Sequence, residues 1–570
     1  MTTPDRDPPP SSQAPLWRHV VLLVVILAAI ASLTDPTVAT VDEGSYGLQA
    51  DALAQGHWAY PWRFTEIDPE GEWFPLANSE GSGSSRYAYL KHPLVPTVLA
   101  HSGRVFGRDL GYLVPSLAGV VGTALVAWAV ARRLRPGSEV LAFWLTATGP
   151  VLFNGFIIWP HAPAAALAGL AVLGAVRLRT ERSPRSMVAA QLPVIAGLGG
   201  LVLVRSEGLL FGLALLLAMA VDAALAPGPN MGVGKTQPIW SAPSLVGFAM
   251  RIGPGLAGLG VARLVERAWI TSVGGAAPQD LAVRSLDSDP GWFAGRAEGL
   301  WHSTLAGSIF GTRAVLLPAL IALIAVAIAW RTRIRTPVVV PAALAVLATA
   351  MVLQMSAVPV DRITGLVAAW PLVVVGVVAL GRLAWSRFGL LIISSGTFAG
   401  AVWATQYADG GAFQWGGRLL QPLVVPLAVI AADGLRVLLE EAYGSRRRLL
   451  GASMAALMLV GAAASMVSLR ETRSHTGAAY EGLAEAVGPV AVATNGELPR
   501  LMWRYDIDWL HVDRPELPAA MGKLRSTDIE QVSVVSSSDI DDRDVAAFGR
   551  ITNRHRAAGS GLLVVEVTRS

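Results

Sequence analysis

Runs of about 20 apolar residues, parted by short loops that carry arginine, recur along almost the whole of this chain. That is the length an α-helix needs to cross the hydrocarbon core of a bilayer. Candidate spans lie near 17–34, 112–131, 139–158, 161–177, 187–204, 208–226, 243–265, 313–330, 337–356, 365–385, 388–406, 419–439 and 448–469. Only 15% of the 570 residues are charged and 53% are hydrophobic, whereas soluble domains average about 25% charged. Most of the chain must therefore face lipid. The expected fold is an all-α polytopic membrane protein of about 13 transmembrane helices with a small C-terminal α/β domain.

The basic residues orient it. With the N-terminus inside and the spans alternating, the inner loops receive Arg132, Arg133 and Arg135; Arg177, Arg179, Arg182 and Arg185; Lys235; Arg331, Arg333 and Arg335; Arg382 and Arg387; and Arg446, Arg447 and Arg448. The short outer loops receive only Arg205, Arg362 and Arg418. One assignment thus places nearly every basic cluster on the cytoplasmic side, as the positive-inside rule requires. The net charge of +4 is accordingly a topology signal, and no nucleic-acid partner is expected. The absence of cysteine excludes thiol catalysis, disulfides and cysteine-bound metal.

Four segments follow. Residues 1–15, rich in Pro and Ser, read as a disordered cytoplasmic tail. Residues 16–469 form the transmembrane domain, with a long outer loop at 35–92. The stretch 93–107 is apolar but short and holds His101 and Arg104; counted as a span it would invert every later loop, so it is expected to lie against the outer leaflet. Residues 470–570 alternate β-like runs (Val490 to Thr494, Val532 to Ser536, Leu562 to Thr568) with helical stretches, enough for an extracytoplasmic α/β domain. The first run has a signal-peptide alternative, since Val38-Ala39-Thr40 is loosely cleavage-like.

The polar residues collect at the outer rim. The outer loop opens with Asp42-Glu43, where adjacent carboxylates at a membrane edge carry a desolvation cost and call for a reason. A general base is one reading; Asp42 as a helix N-cap with Glu43 in the first turn is the other. The loop closes with Lys91-His92-Pro93-Leu94, a place to grip a lipid phosphate or for a lysine to snorkel. Between them lie Trp58, Tyr60, Trp62, Phe64, Trp73, Phe74, Tyr87 and Tyr89, an interfacial belt or a sugar-stacking surface. Arg205-Ser206-Glu207 turns a helical hairpin, with a local ion pair as its plain reading. Trp415-Gly416-Gly417-Arg418 offers glycines for close backbone approach and a guanidinium for an anion. Asp361-Arg362 is a weaker outer pair. Gly232-Val233-Gly234-Lys235-Thr236 imitates a phosphate loop but lacks the earlier glycine, and Pro238 blocks the helix that should follow.

Taken in order, Asp42-Glu43, Lys91-His92-Pro93-Leu94 and Trp415-Gly416-Gly417-Arg418, with this topology, resemble the GT-C superfamily of polyprenyl-phosphate-sugar glycosyltransferases. Its members include the protein O-mannosyltransferases and the lipid A aminoarabinose transferase. His92 stands where the family's Lys-Pro-Pro-Leu motif has its first proline. The resemblance implies a membrane glycosyltransferase that moves a sugar from a polyprenyl-phosphate donor to an acceptor hydroxyl outside the membrane. It implies Asp42 as base, Glu43 orienting it or the acceptor, and Lys91, Arg418 and His92 holding the phosphate, with Arg205 and Glu207 as further outer-site residues. Expected partners are the donor lipid, membrane lipid, and an acceptor protein, polysaccharide or glycolipid. No cofactor is expected. Some branches use a divalent metal through Asp-x-Asp, and Asp42-Glu43 departs from that pattern, so metal is not predicted. Two other classes remain, a transporter or flippase of a lipid-linked glycan and a scaffold protein. Neither repeated halves nor midplane charges favour the transporter, and the acidic pair with its phosphate-type cations speaks against a scaffold.

Overall fold

A computed structural model describes residues 15–34, 38–60, 62–75, 80–82, 85–87, 92–181, 183–225, 242–274, 365–380, 384–405 and 415–570, with a few positions between 296 and 349. Lys91, Asp361, Arg362, the 232–236 loop, the run near 313–330 and most of that near 337–356 lie outside the described residues. The first helix, α1 (Leu16–Leu33), is entered from Pro15 and left at Thr34, whose N–H bonds the Ala31 carbonyl.

Among the described residues, nine helices are long and apolar enough to cross a membrane, and the chain is a multi-pass membrane protein. Two expected spans are broken. The run near 139–158 is α5 (Glu139–Ala147) and α6 (Pro150–Gly155), because Gly149, ahead of a proline, is extended at φ −81°, ψ −166°. The run near 365–385 breaks at Trp370, ahead of Pro371, into α11 (Leu366–Ala369) and α12 (Pro371–Leu380).

The bundle pairs α4 (Arg108–Leu134) with α5 and α7 (His161–Thr180), α7 with α8 (Pro184–Val204), and α8 with α10 (Ala242–Gly274). It also pairs α9 (Glu207–Leu225) with α13 (Ala384–Thr405), and α12 with α14 (Val424–Glu441). The clustered arginines meet acids at one end. Arg135 and Arg387 lie 3.2 and 3.7 Å from the buried Asp433, and Arg179 lies 3.4 Å from Asp222.

At the other end stand α2 (Val41–Ala54), a small hairpin of β1 (Glu80–Ser82) and β2 (Ser85–Tyr87), and α3 (Leu94–Phe106). The α3 helix covers the stretch expected at the leaflet surface. It buries Val95, Pro96, Leu99 and Ala100 and leaves Leu94, Val98, Val105 and Phe106 exposed. The aromatics of the outer loop form its interior: Trp62, Phe64, Trp73 and Phe74 are buried, and Trp62 packs against both Phe64 and Phe74. Residues 62–75 hold no helix or strand and need such a core, which is why these four rings are not spread as an exposed belt.

Helix α15 (Gly444–Ala486) runs unbroken through residue 470 into a five-stranded sheet. The strands are β3 (Val490–Ala493), β4 (Asp508–His511), β5 (Gln531–Ser536), β6 (Gly549–Arg556) and β7 (Leu563–Arg569), in spatial order β4-β3-β5-β7-β6. The first three of that order are parallel, and β7 is antiparallel to both neighbours. Leu483 of α15 is buried in the sheet's core beside Ala491, Met502, Val535 and Val564.

Candidate active site

The N-terminus of α2 is built by a capping box. Thr40 Oγ1 accepts from the Glu43 N–H at 3.3 Å, and Glu43 Oε2 accepts from the N–H groups of Thr40 and Ala39 at 3.0 and 2.7 Å. The cap is therefore Thr40 rather than Asp42, which sits in the first turn with its side chain 40% exposed. Glu43 is 0% exposed. Its Oε1 accepts from the Ile158 N–H at 2.9 Å and lies 3.2 Å from Nη2 of the buried Arg473 on α15. So enclosed, the Glu43 carboxylate faces backbone donors and Arg473 rather than the open rim.

The same contacts pin the segment between α6 and α7. Arg473 donates to the Phe156 carbonyl at 2.5 Å, and Ser116 Oγ lies 2.9 and 3.0 Å from the carbonyls of Ile157 and Trp159. Backbone groups in a buried non-helical segment need such partners. Fixed in this way, Trp159 places its ring edge-on to His161 at 4.4 Å.

Three chain segments close around these rings. Gly416 and Gly417, at φ +66° and +68°, turn the chain into a 3-10 helix at Arg418–Leu423, a left-handed pair that residues with a Cβ adopt only with strain. Trp415 is buried and stacked on Phe153. The Arg418 guanidinium hydrogen-bonds Asp42 Oδ2 and lies 5.5 Å from the centre of the Trp159 ring. Arg205 donates to both Glu207 oxygens, at 2.9 and 2.5 Å, while its Nη1 is 3.3 Å from His161 Nε2. The Arg418 charge also acts on His161 and Glu207. Asp42, Arg205, Glu207 and Arg418 thus converge. Trp159, His161, Arg473 and Arg500 were not singled out from sequence; Trp159-Pro160-His161 falls in a short outer loop of the expected topology, which was the available signal.

His92 is engaged elsewhere. At φ +51° and 5% exposed, it sets Nδ1 2.8 Å from Glu266 Oε1 on α10, whose other oxygen meets Arg263 at 2.5 Å.

The C-terminal unit holds α2 from outside. A Cβ on Gly44 would lie 1.8 Å from the Arg500 carbonyl oxygen and one on Gly47 2.7 Å from the Trp503 ring. The side chain of Arg500 acts on Asp42: burial lowers its pKa, against the opposing pull of Glu497 and Asp42. Farther along α2, Asp51 accepts from the Tyr112 hydroxyl and from Arg108, each at 2.5 Å, and Arg108 stacks 4.3 Å above Trp503. Burial raises the pKa of Asp51, and these two partners oppose it.

No family model matches the chain, and no curated protein matches it by sequence. Solved structures do match. Cupriavidus metallidurans ArnT bound to undecaprenyl phosphate superposes with a TM-score of 0.56 at 12% identity, covering 96% of this chain and 98% of that one. This chain shares the fold of ArnT. The apo form of ArnT gives a TM-score of 0.52, again at 12% identity, over 97% of this chain and 98% of its own. ArnT is a lipid A aminoarabinose transferase, and the shared architecture is the GT-C fold. At this identity the likeness to ArnT establishes the fold, and chemistry has to be argued from the residues.

Proposed function

We propose that this protein is a membrane glycosyltransferase that moves a sugar from a polyprenyl-phosphate donor to an acceptor hydroxyl on the extracytoplasmic face. The observation that carries this reading is the pairing of a solvent-reaching carboxylate, Asp42, with Arg418, inside a rim of Arg205, Glu207, His161 and Trp159, on the fold of a protein crystallised with undecaprenyl phosphate. A base and a cation side by side are what displacement at a phosphate-bearing carbon needs.

Asp42 takes the proton of the acceptor hydroxyl as its oxygen bonds the anomeric carbon. The bond from that carbon to the phosphate oxygen breaks, and the electron pair leaves with the polyprenyl phosphate. Arg418 and Lys91 stabilise the charge that develops there, and Arg205, held by Glu207, adds a second guanidinium. Glu43 acts through position: it fixes the first turn of α2 to the Trp159 segment, so the direction in which Asp42 points is set by the bundle. His92, bonded to Glu266, ties the start of α3 to α10.

The test is Asp42→Asn, which keeps size and does not disturb the Thr40 cap. Purified variant should bind undecaprenyl phosphate as wild type does, while transfer falls by roughly 10²–10⁴, the usual worth of a positioned base. Near-normal turnover would remove Asp42 from the chemistry and reopen the transporter reading.

A further inference from the structure

Beyond the Asp42 group lies a cleft of about 160 Å³ between the outer loop and the C-terminal unit. Its partly exposed rings are Tyr60 and Tyr505, backed by the buried Trp62, Phe64, Trp503 and Trp509, and the Arg63–Asp508 ion pair also lines it, with side chains 52% and 44% exposed. Aromatic walls with a few convergent polar groups are the ordinary make-up of a ligand site. This combination suits one chemistry: a sugar ring lays an apolar C–H face on an aromatic plane and offers hydroxyls to a guanidinium and a carboxylate. A peptide or lipid chain would not need both.

Position adds to composition. Two elements run from the Asp42 group to this cleft. Leu48, which lines it, follows Asp42 on the same helix, so the separation along the α2 axis is roughly 9 Å. The helix Leu498–Leu501 sets Arg500 near Asp42, and Pro499 and Met502 line the cleft.

We infer that this cleft is a saccharide-binding site, holding a sugar unit of the acceptor while a neighbouring hydroxyl reaches Asp42. The acceptor is then a glycan or a glycolipid headgroup rather than an unglycosylated protein. The acceptor part rests on the glycosyltransferase reading; the binding part does not.

The test uses full-length protein in detergent micelles. Hexasaccharides of glucose, mannose, galactose and arabinose, and an unglycosylated Ser/Thr-rich peptide, are titrated by tryptophan fluorescence and saturation-transfer NMR. Undecaprenyl phosphate is titrated separately. At least one hexasaccharide should bind saturably, and Tyr60→Ala and Asp508→Ala should each weaken it tenfold or more. Tyr60→Phe, which keeps the ring and controls for folding, should bind as wild type does, and undecaprenyl phosphate binding should be unchanged in all three variants. Absence of hexasaccharide binding to wild type at millimolar concentration, binding of the peptide alone, or hexasaccharide binding indifferent to Tyr60→Ala would overturn the assignment. Wild-type protein that binds a hexasaccharide but neither binds undecaprenyl phosphate nor transfers sugar would support the cleft as a saccharide site and remove the enzyme reading instead.

Discussion

Replacing Glu43 by Gln keeps the shape of the side chain and removes its charge, and it should cost about 3–5 kcal/mol of stability. The size follows from the four donors around the carboxylate: the N–H groups of Ala39, Thr40 and Ile158, and the Arg473 guanidinium. Glutamine keeps one oxygen, so its amide NH₂ must face donors on the other side. Each buried donor left unmet costs about 1–3 kcal/mol. Arg473, 1% exposed, is left without its carboxylate, which alone is worth about 3–5 kcal/mol. These costs overlap, so they do not sum. Arg473→Met should fall in the same range, since it leaves Glu43 charged and buried and the Phe156 carbonyl without its donor. Because each change breaks the same pair, the double variant should fall short of the sum by about 0.5–3 kcal/mol. Equilibrium unfolding of the four proteins in mixed detergent micelles measures this. Additivity to within about 0.5 kcal/mol, or a loss under about 1 kcal/mol in Glu43→Gln, would refute the view that this pair anchors the site.

Gly44→Ala should lower both stability, by about 1–3 kcal/mol, and transfer rate, because its Cβ meets the Arg500 backbone; Gly253→Ala, with nothing within 4 Å, is the control, and equal behaviour of the two would show that α2 does not rest on that contact. Reporter fusions after Arg135 and at Ser570 should report opposite sides of the membrane, the first cytoplasmic; the same side for both would overturn the orientation. Treatment with EDTA should leave transfer unchanged, and a loss restored by Mg²⁺ or Mn²⁺ would show that the Asp42-Glu43 pattern had been misjudged.

The length of the apolar runs made the bundle legible, since it follows directly from the thickness of the hydrocarbon core. The breaks at Gly149 and Trp370 were harder to see, although Pro150 and Pro371 mark both; a run judged by its apolar content alone hides the proline inside it. In the sheet, β3, β5 and β7 were readable as apolar runs. The four-residue β4 has polar ends, and β6 is an edge strand with mostly exposed side chains, so neither carries that signal. At the site, Asp42, Arg205, Glu207 and Arg418 were readable because charge at a membrane rim is conspicuous. Arg473 was not: it lies in the chain beyond the expected transmembrane domain, and only the continuity of α15 brings it under α2.

The adjacent acids Asp42 and Glu43 meet opposite environments because a helix turns about 100° per residue. Asp42 then faces the open rim, and the next residue, Glu43, faces the junction of α2, the Trp159 segment and α15. Their lengths suit these places. The inner carboxylate spans backbone donors on two segments, Ala39 and Thr40 on one side and Ile158 on the other, and an aspartate, shorter by one methylene, would fall short of one of them. The outer carboxylate needs no such reach. In the proposed reaction it needs contact with water or an acceptor and a cation beside it, and the 40% exposure of Asp42 and its bond to Arg418 suit that role. A base must exchange its proton with the medium between turnovers, which Glu43, at 0% exposure, is not placed to do. Inverting the order to Glu-Asp would preserve composition and charge and still disable both roles, because the pair is defined by which acid the helix turns inward.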